Sequence, residues 1–190
     1  MRKVILSINT TLDGFMAGPG GELDWHMQSW NNEMGEYVFQ QLSRTDTILL
    51  GRVTYEAMAN YWPLAFKEPG RKKGDVEFAH MMNSYQKIVF SKTLSSVDWE
   101  NTRLVTGDIE QEILQLKQQA GKDMIIWGGV GIVSSFIQMN LIDEYRISIA
   151  PVVLGNGMKP LINSMERPEL KLLDTTTFSN GVVLLCYQRA

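Results

Sequence analysis

Cysteine is almost absent from this 190-residue chain, with Cys186 the single example. That excludes an intramolecular disulfide and any multi-thiolate metal centre built from one chain, and no metal site is expected. Cys186 sits in the apolar run "VVLLCYQ", which suits a buried, inert thiol. An excess of positive charge is missing as well. With 18 Lys and Arg against 21 Asp and Glu the formal net charge is -3, and no basic face suited to a nucleic-acid backbone stands out. Long apolar runs are also lacking. The opening "MRKVILSINT" is broken by Ser7 and Asn9, and no stretch approaches the length of a membrane span. These absences predict a cytoplasmic protein with neither nucleic acid nor membrane involved; they are compatible with a soluble small-molecule cofactor without demanding one. The length, and a hydrophobic content of 44%, suit one domain over residues 1–190 with its own core.

Two familiar phosphate-binding patterns are absent too. "GVGIVS" (129–134) has serine where the dinucleotide fingerprint needs its third glycine. It also falls late in the chain, and the acidic pair at 143–144 follows too soon. No lysine follows as a P-loop requires. What is present is an apolar run, "DMIIW", that stops at Gly128, Gly129 and Gly131 and resumes at helical spacing with Ile132, Val133 and Phe136. A strand end, glycines and a helix N-terminus form a seat for a pyrophosphate or, equally, a tight structural turn. Two further stretches offer the same choice. In "ILLGRVTYEAM" (48–58) a strand ends at Gly51 and Arg52, Val53 and Thr54 open a helix, so cation and free N–H groups meet. In "VFSKTLSS" (89–96) Ser91, Lys92 and Thr93 follow a strand. That is the chemistry for a phosphomonoester, or else for a polar turn.

Short apolar runs at 3–8, 47–51, 87–91, 102–106 and 123–128 read as strands buried on both faces of a mainly parallel sheet, and 144–153 as a strand with alternating faces. Helices fall between them. "NNEMGEYVFQQLSR" carries Met34, Val38 and Leu42 in one stripe. "DIEQEILQLKQQAG" has Asp108 as its cap and Gly121 as a left-handed stop. The segment 64–78, with Lys67, Arg71, Lys72 and Lys73, reads as a long loop, either solvated or near an anionic ligand. Ser179-Asn180-Gly181 between two apolar runs predicts a terminal hairpin.

"SINTTLDGFMAG", "LLGRVTYEAM", "VFSKTL" and "IIWGGVGIVSSFI" stand in the order found in the dihydrofolate reductase-like superfamily. Across essentially its whole length the chain resembles the stand-alone bacterial branch related to the C-terminal reductase domain of riboflavin biosynthesis. The resemblance implies an α/β fold of three layers, with a mainly parallel central sheet, helices on both faces and antiparallel C-terminal strands. It implies NADPH as cofactor. Gly51, Arg52, Val53 and Thr54 would seat phosphates and ribose, and Ser91, Lys92 and Thr93 would read the 2′-phosphate. Gly128, Gly129, Val130, Gly131 and Ile132 would line the pyrophosphate and nicotinamide side, with Ala17 against the nicotinamide face. It implies a reductase acting on a pterin- or aminopyrimidine-like substrate; the alternative is a non-catalytic NADPH-binding or sensor protein. Asp13, of "TLDGF", and Glu33, near the place of the acid on the first helix of folate-reducing members, are the candidate proton donors. Asp24 and His26 are further candidates, or simply loop residues. Met27, Trp30, Trp62 and Phe66 form a lid or simply cover the core. The zinc deaminase fused to many riboflavin reductases needs H-x-E and C-x-x-C ligands, which these residues do not contain. The relatives also imply a homodimer, with "APVVLGNGMKPLI" (150–162) as the expected partner surface.

Overall fold

The computed structural model describes residues 1–65, 73–159 and 169–190, with the side chains of 73–75 left aside. Lys67, Arg71, Lys72, Phe66 and residues 160–162 of the expected partner surface therefore lie outside the described residues, as does the Lys73 side chain.

Six parallel strands form the centre of an eight-stranded sheet. In chain order the strands are β1 (Val4–Thr11), β2 (Thr45–Gly51), β3 (Gln86–Phe90), β4 (Thr102–Val105), β5 (Asp123–Ile126), β6 (Glu144–Ala150), β7 (Leu170–Thr177) and β8 (Val183–Arg189). Their spatial order is β4-β3-β2-β5-β1-β6-β8-β7, with β8 antiparallel to both β6 and β7. The parallel sheet with antiparallel C-terminal strands is the architecture the resemblance implies. β7 and β8 join through the Ser179-Asn180-Gly181 turn, where Gly181 has φ +85.

Six helices are described: α1 (Asp24–Gln28), α2 (Asn32–Ser43), α3 (Arg52–Ala65), α4 (Lys73–Ser84), α5 (Ile109–Gln118) and α6 (Val130–Gln138). Period-2 alternation divides the strand side chains between two layers. Leu6, Leu49, Ile88 and Ile126 face Ile113 and Leu116 of α5 and Val133 and Phe136 of α6. Ile48, Leu50, Val89 and Ile125 face Leu42 of α2, Tyr55 of α3 and Met82 of α4. Burial on both faces is what makes these strands read as continuous apolar runs.

Local chemistry sets several boundaries. Asp108 caps α5 as expected, its Oδ1 accepting from the Gln111 N–H at 2.9 Å. The expected stop at Gly121 is corrected: α5 ends at Gln118, and Gln119 is already extended. Gly121 instead lies against Asp46 and Arg2, where a Cβ would stand 2.7 Å from Asp46 Oδ2. The long loop expected over 64–78 is corrected at both ends, because α3 runs to Ala65 and α4 begins at Lys73. Its C-terminal carbonyls are gathered by a fully buried lysine. Lys87 Nζ donates to Met82 O, Asn83 O and Tyr85 O at 2.8–3.0 Å, with the Trp99 ring 4.4 Å away.

Candidate functional site

The carboxyl ends of β1, β2, β3, β4 and β5 open on one cleft of about 1830 Å³. In open α/β sheets ligands bind outside the carboxyl ends of the strands. The volume exceeds that of a pocket for one drug-sized ligand, roughly 300–1,000 Å³. It has room for a dinucleotide and a second molecule together.

Twelve of the thirteen residues expected to hold the cofactor line this cleft: Ala17, Gly51 to Thr54, Ser91, Lys92 and Gly128 to Ile132. The exception is Thr93, whose N–H and that of Leu94 each donate to Ser91 Oγ at 3.1 Å. Thr93 thus closes the turn that presents Ser91 and Lys92.

The glycines have different reasons to be there. Gly128 and Gly129 have φ +58 and +81, a region that side-chain-bearing residues rarely adopt. At Gly129 a Cβ would also stand 2.9 Å from Thr54 Oγ1, so this residue lets the turn after β5 approach the first turn of α3 closely. Gly51 serves close packing, since its Cβ would meet Ile132 at 3.1 Å. At Gly131 a Cβ would meet no protein atom within 4 Å, and the residue is exposed on the cleft wall. It leaves space beside the N-terminus of α6, where helix geometry gives the N–H groups of Val130, Gly131 and Ile132 no intrahelical acceptor. α3 begins directly after β2 and presents its own first turn to the same cleft. Arg52 there is held by Glu56, at 2.9 Å. Backbone N–H groups from two helix ends, with Lys92 nearby, form a donor set that fits a dinucleotide's phosphates.

The two carboxyls expected to donate a proton do not line the cleft. Asp13 accepts from Thr11 Oγ1 at 2.6 Å and from the N–H groups of Gly155 at 2.8 Å and Leu154 at 3.3 Å. The Thr11 hydroxyl, followed by the two backbone N–H groups, holds its pKa down to about 2. Glu33 accepts from the Ser179 N–H at 2.9 Å, which likewise lowers its pKa. A proton donor near neutral pH needs a raised carboxyl pKa, whereas in this structure both carboxylates accept hydrogen bonds that fasten distant loops. Glu33, with Asn31, ties the start of α2 to the terminal hairpin. Both placements have one physical cause. Each carboxylate meets backbone donors more than 140 residues away in sequence, which no local pattern announces.

Asp24 and His26 lie on the short helix α1, and His26 lines the cleft between Trp25 and Trp30, with ring centroids at 5.9 and 5.3 Å. Burial pushes its pKa below the usual value. Met27, Trp30 and Trp62 also line the cleft.

Three aromatic residues that the sequence did not single out, Tyr61, Phe78 and Trp127, join Trp62 to complete the wall. Tyr61 and Trp62 of α3, Phe78 of α4 and Trp127 after β5 form a continuous run. The centroid distances are 4.9, 5.2 and 6.3 Å, and the Phe78 and Trp127 rings lie within 17° of parallel. Met58, Tyr61 and Trp62 stand at i, i+3 and i+4, a stripe that was legible. Phe78 fell in the segment read as loop.

Among solved structures the chain has the fold of dihydrofolate reductase. The Enterococcus faecalis dihydrofolate reductase, solved with NADP(H), superposes with a TM-score of 0.62 at 13% identity, covering 98% of this chain and 96% of that one. The Thermotoga maritima diaminohydroxyphosphoribosylaminopyrimidine deaminase/5-amino-6-(5-phosphoribosylamino)uracil reductase gives 0.68 at 17% identity, covering 100% of this chain and 57% of that one. Within that fold the chain belongs to the RibD C-terminal domain family, which it matches over residues 2–184. YyaP of Bacillus subtilis (strain 168) is 38% identical over 186 residues, 98% of this chain and 94% of YyaP. Among the described residues no helix is long and apolar enough to cross a membrane, and no cluster of His, Cys, Asp and Glu could hold a metal ion.

Proposed function

We propose that the chain is an NADPH-dependent reductase acting on a planar heterocycle of the pterin or aminopyrimidine kind. The observation that carries the reading is convergence. The turns after β2, β3 and β5, far apart in sequence, bring two helix N-termini, Ser91, Lys92 and the open space at Gly131 to one cleft. In this reading the backbone of Arg52 to Thr54 and of Val130 to Ile132 holds the phosphates. Lys92 with Ser91 takes the 2′-phosphate, and Ala17 backs the nicotinamide. The bound cofactor supplies a hydride for a C=N or C=O carbon, and the protein positions that carbon and excludes water. Tyr61, Trp62, Phe78 and Trp127 offer ring faces to a flat substrate.

The family and the E. faecalis dihydrofolate reductase with its NADP(H) support the cofactor; the T. maritima reductase supports an aminopyrimidine. A non-catalytic NADPH-binding or sensor protein is the second reading, favoured by the absence of Asp13 and Glu33 from the cleft wall. In the catalytic reading bound water supplies the proton. Titration with NADPH and NADH tests the cofactor, with saturable NADPH binding expected and its absence refuting both readings. Oxidation of bound NADPH by a dihydropteridine or an aminouracil, followed at the nicotinamide absorbance, separates enzyme from sensor.

A further inference from the structure

The turn after β1 is fastened to a distant stretch of chain at several levels. Leu12 N–H donates to Val152 O at 2.8 Å, and the Asp13 carboxylate accepts from Leu154 and Gly155. Met16 N–H donates to Met158 O at 2.8 Å, and Met158 N–H donates to Ala17 O at 2.9 Å. Gly157 lies so close that a Cβ there would stand 2.3 Å from Ala17 O. Lys159 Nζ rests 4.4 Å from the centre of the Phe15 ring. Residues 152–159 thus run beside residues 12–17 as a strap.

We propose that the strap fixes Ala17 on the cleft wall and that Asp13 is the positioning residue anchoring it, which rests on the NADPH reading above. Ala17 is buried and lines the cleft with Met16. The loop that carries it contains Gly14, Gly18, Gly20 and Gly21 and forms no helix or strand of its own. Such a segment has much backbone entropy to lose, so its position must come from contacts outside itself. On the far side of Asp13, Thr11 Oγ1 donates to the same carboxylate while accepting from Phe15 N–H at 3.0 Å. One ionised group therefore joins the end of β1, the glycine loop and the strap, through charge-assisted bonds stronger than an amide would make. Asparagine at this position keeps the shape but removes the charge and leaves one side as NH₂, which must face either Leu154 N–H or Gly155 N–H, so one bond to the strap is lost. A strap released in this way leaves Ala17 free to shift, while the turns after β2 and β3, which would hold the phosphates at the other end of the dinucleotide, keep their own bonds.

The test compares two ligands on the intact protein: NADPH, and adenosine 2′,5′-bisphosphate, which has no nicotinamide. Asp13→Asn should raise the NADPH dissociation constant by about tenfold, the loss of one charge-assisted contact, and leave that of the bisphosphate within about twofold. Gly157→Ala, which pushes the strap off the Ala17 carbonyl, should give the same split, and decides alone should Asp13→Asn fail to fold. Equal weakening of both ligands would reduce Asp13 to general structural support, and unchanged NADPH binding would overturn the strap. A proton donor at position 13 would leave NADPH binding intact and abolish turnover. Wild-type protein that binds neither ligand would remove the NADPH reading itself.

Discussion

Gly131→Val separates a glycine kept for a ligand from one kept for the fold. Gly131 is the second residue of α6 and does not have a positive φ. A Cβ there meets no protein atom within 4 Å. Glycine costs about 1 kcal/mol against alanine in a helix and valine costs somewhat less, so unliganded stability should change by no more than about 0.5 kcal/mol. For a chain of this length that is a shift in Tm of roughly 1–2 °C. The new methyl groups would occupy the space beside the α6 N-terminus, where a pyrophosphate must come within hydrogen-bond distance. Losing one charge-assisted bond costs about 1.5–3 kcal/mol, at least tenfold in affinity. At a hundredfold excess over its dissociation constant, NADPH stabilises the wild type by about 2.7 kcal/mol, or roughly 5–11 °C. A tenfold weaker variant keeps about 1.4 kcal/mol at the same concentration, half the shift or less. Scanning calorimetry with and without NADPH reads both quantities. A variant that melts normally and keeps the full shift would return Gly131 to being part of a turn. Gly129→Val is a poorer probe, because its positive φ and the contact with Thr54 damage folding directly.

Other expectations follow from the same geometry. Lys92→Ala should weaken NADPH by about tenfold or more and leave NADH nearly unchanged, since it removes one cation facing the 2′-phosphate; equal loss for both cofactors in a fluorescence titration would count against that role. Lys87→Met should destabilise the fold by about 2 kcal/mol, roughly 4–8 °C in Tm, by stripping three carbonyls of their donor, and denaturant melts that match wild type would refute the cap. Asp13 is held below its ordinary pKa, so the unfolded chain takes up its proton first as pH falls. Its contribution to stability is complete above about pH 4 and is lost towards pH 2. Asp13→Asn should flatten that part of the stability profile, and an unchanged acid limb in urea melts would contradict the lowered pKa. The protein should sediment as a homodimer, with the exposed edge strand β7 and its Leu172 and Leu173 as the natural surface; a mass near 21.6 kDa at micromolar protein would exclude pairing.

Much of the fold was legible because its signals are local. Buried parallel strands show as short apolar runs, Asp108 announces α5, and Asn180-Gly181 announces the hairpin. The turns at Gly51, Ser91 and Gly128 were legible for the same reason: each couples a strand end to residues suited to an anion within a few positions. What stayed hidden depends on distant partners. Gly74 and Asp75 among cations disguise the start of α4 as loop, and nothing near Lys87 in sequence shows that a lysine in an apolar strand will cap that helix. Asp13 and Glu33 have the right chemical type for acids, yet the partners they meet, Gly155 and Ser179, lie far away in sequence. The strap is visible only once residues 12–17 and 152–158 lie side by side.

A crystal structure with NADPH bound tests the central claim most directly. The account predicts a dinucleotide laid across the carboxyl ends of β3, β2 and β5, its 2′-phosphate at Lys92, its pyrophosphate at the N-terminus of α6 beside Gly131 and its nicotinamide against Ala17. A dinucleotide bound elsewhere, or one whose phosphates avoid both helix ends, would contradict it.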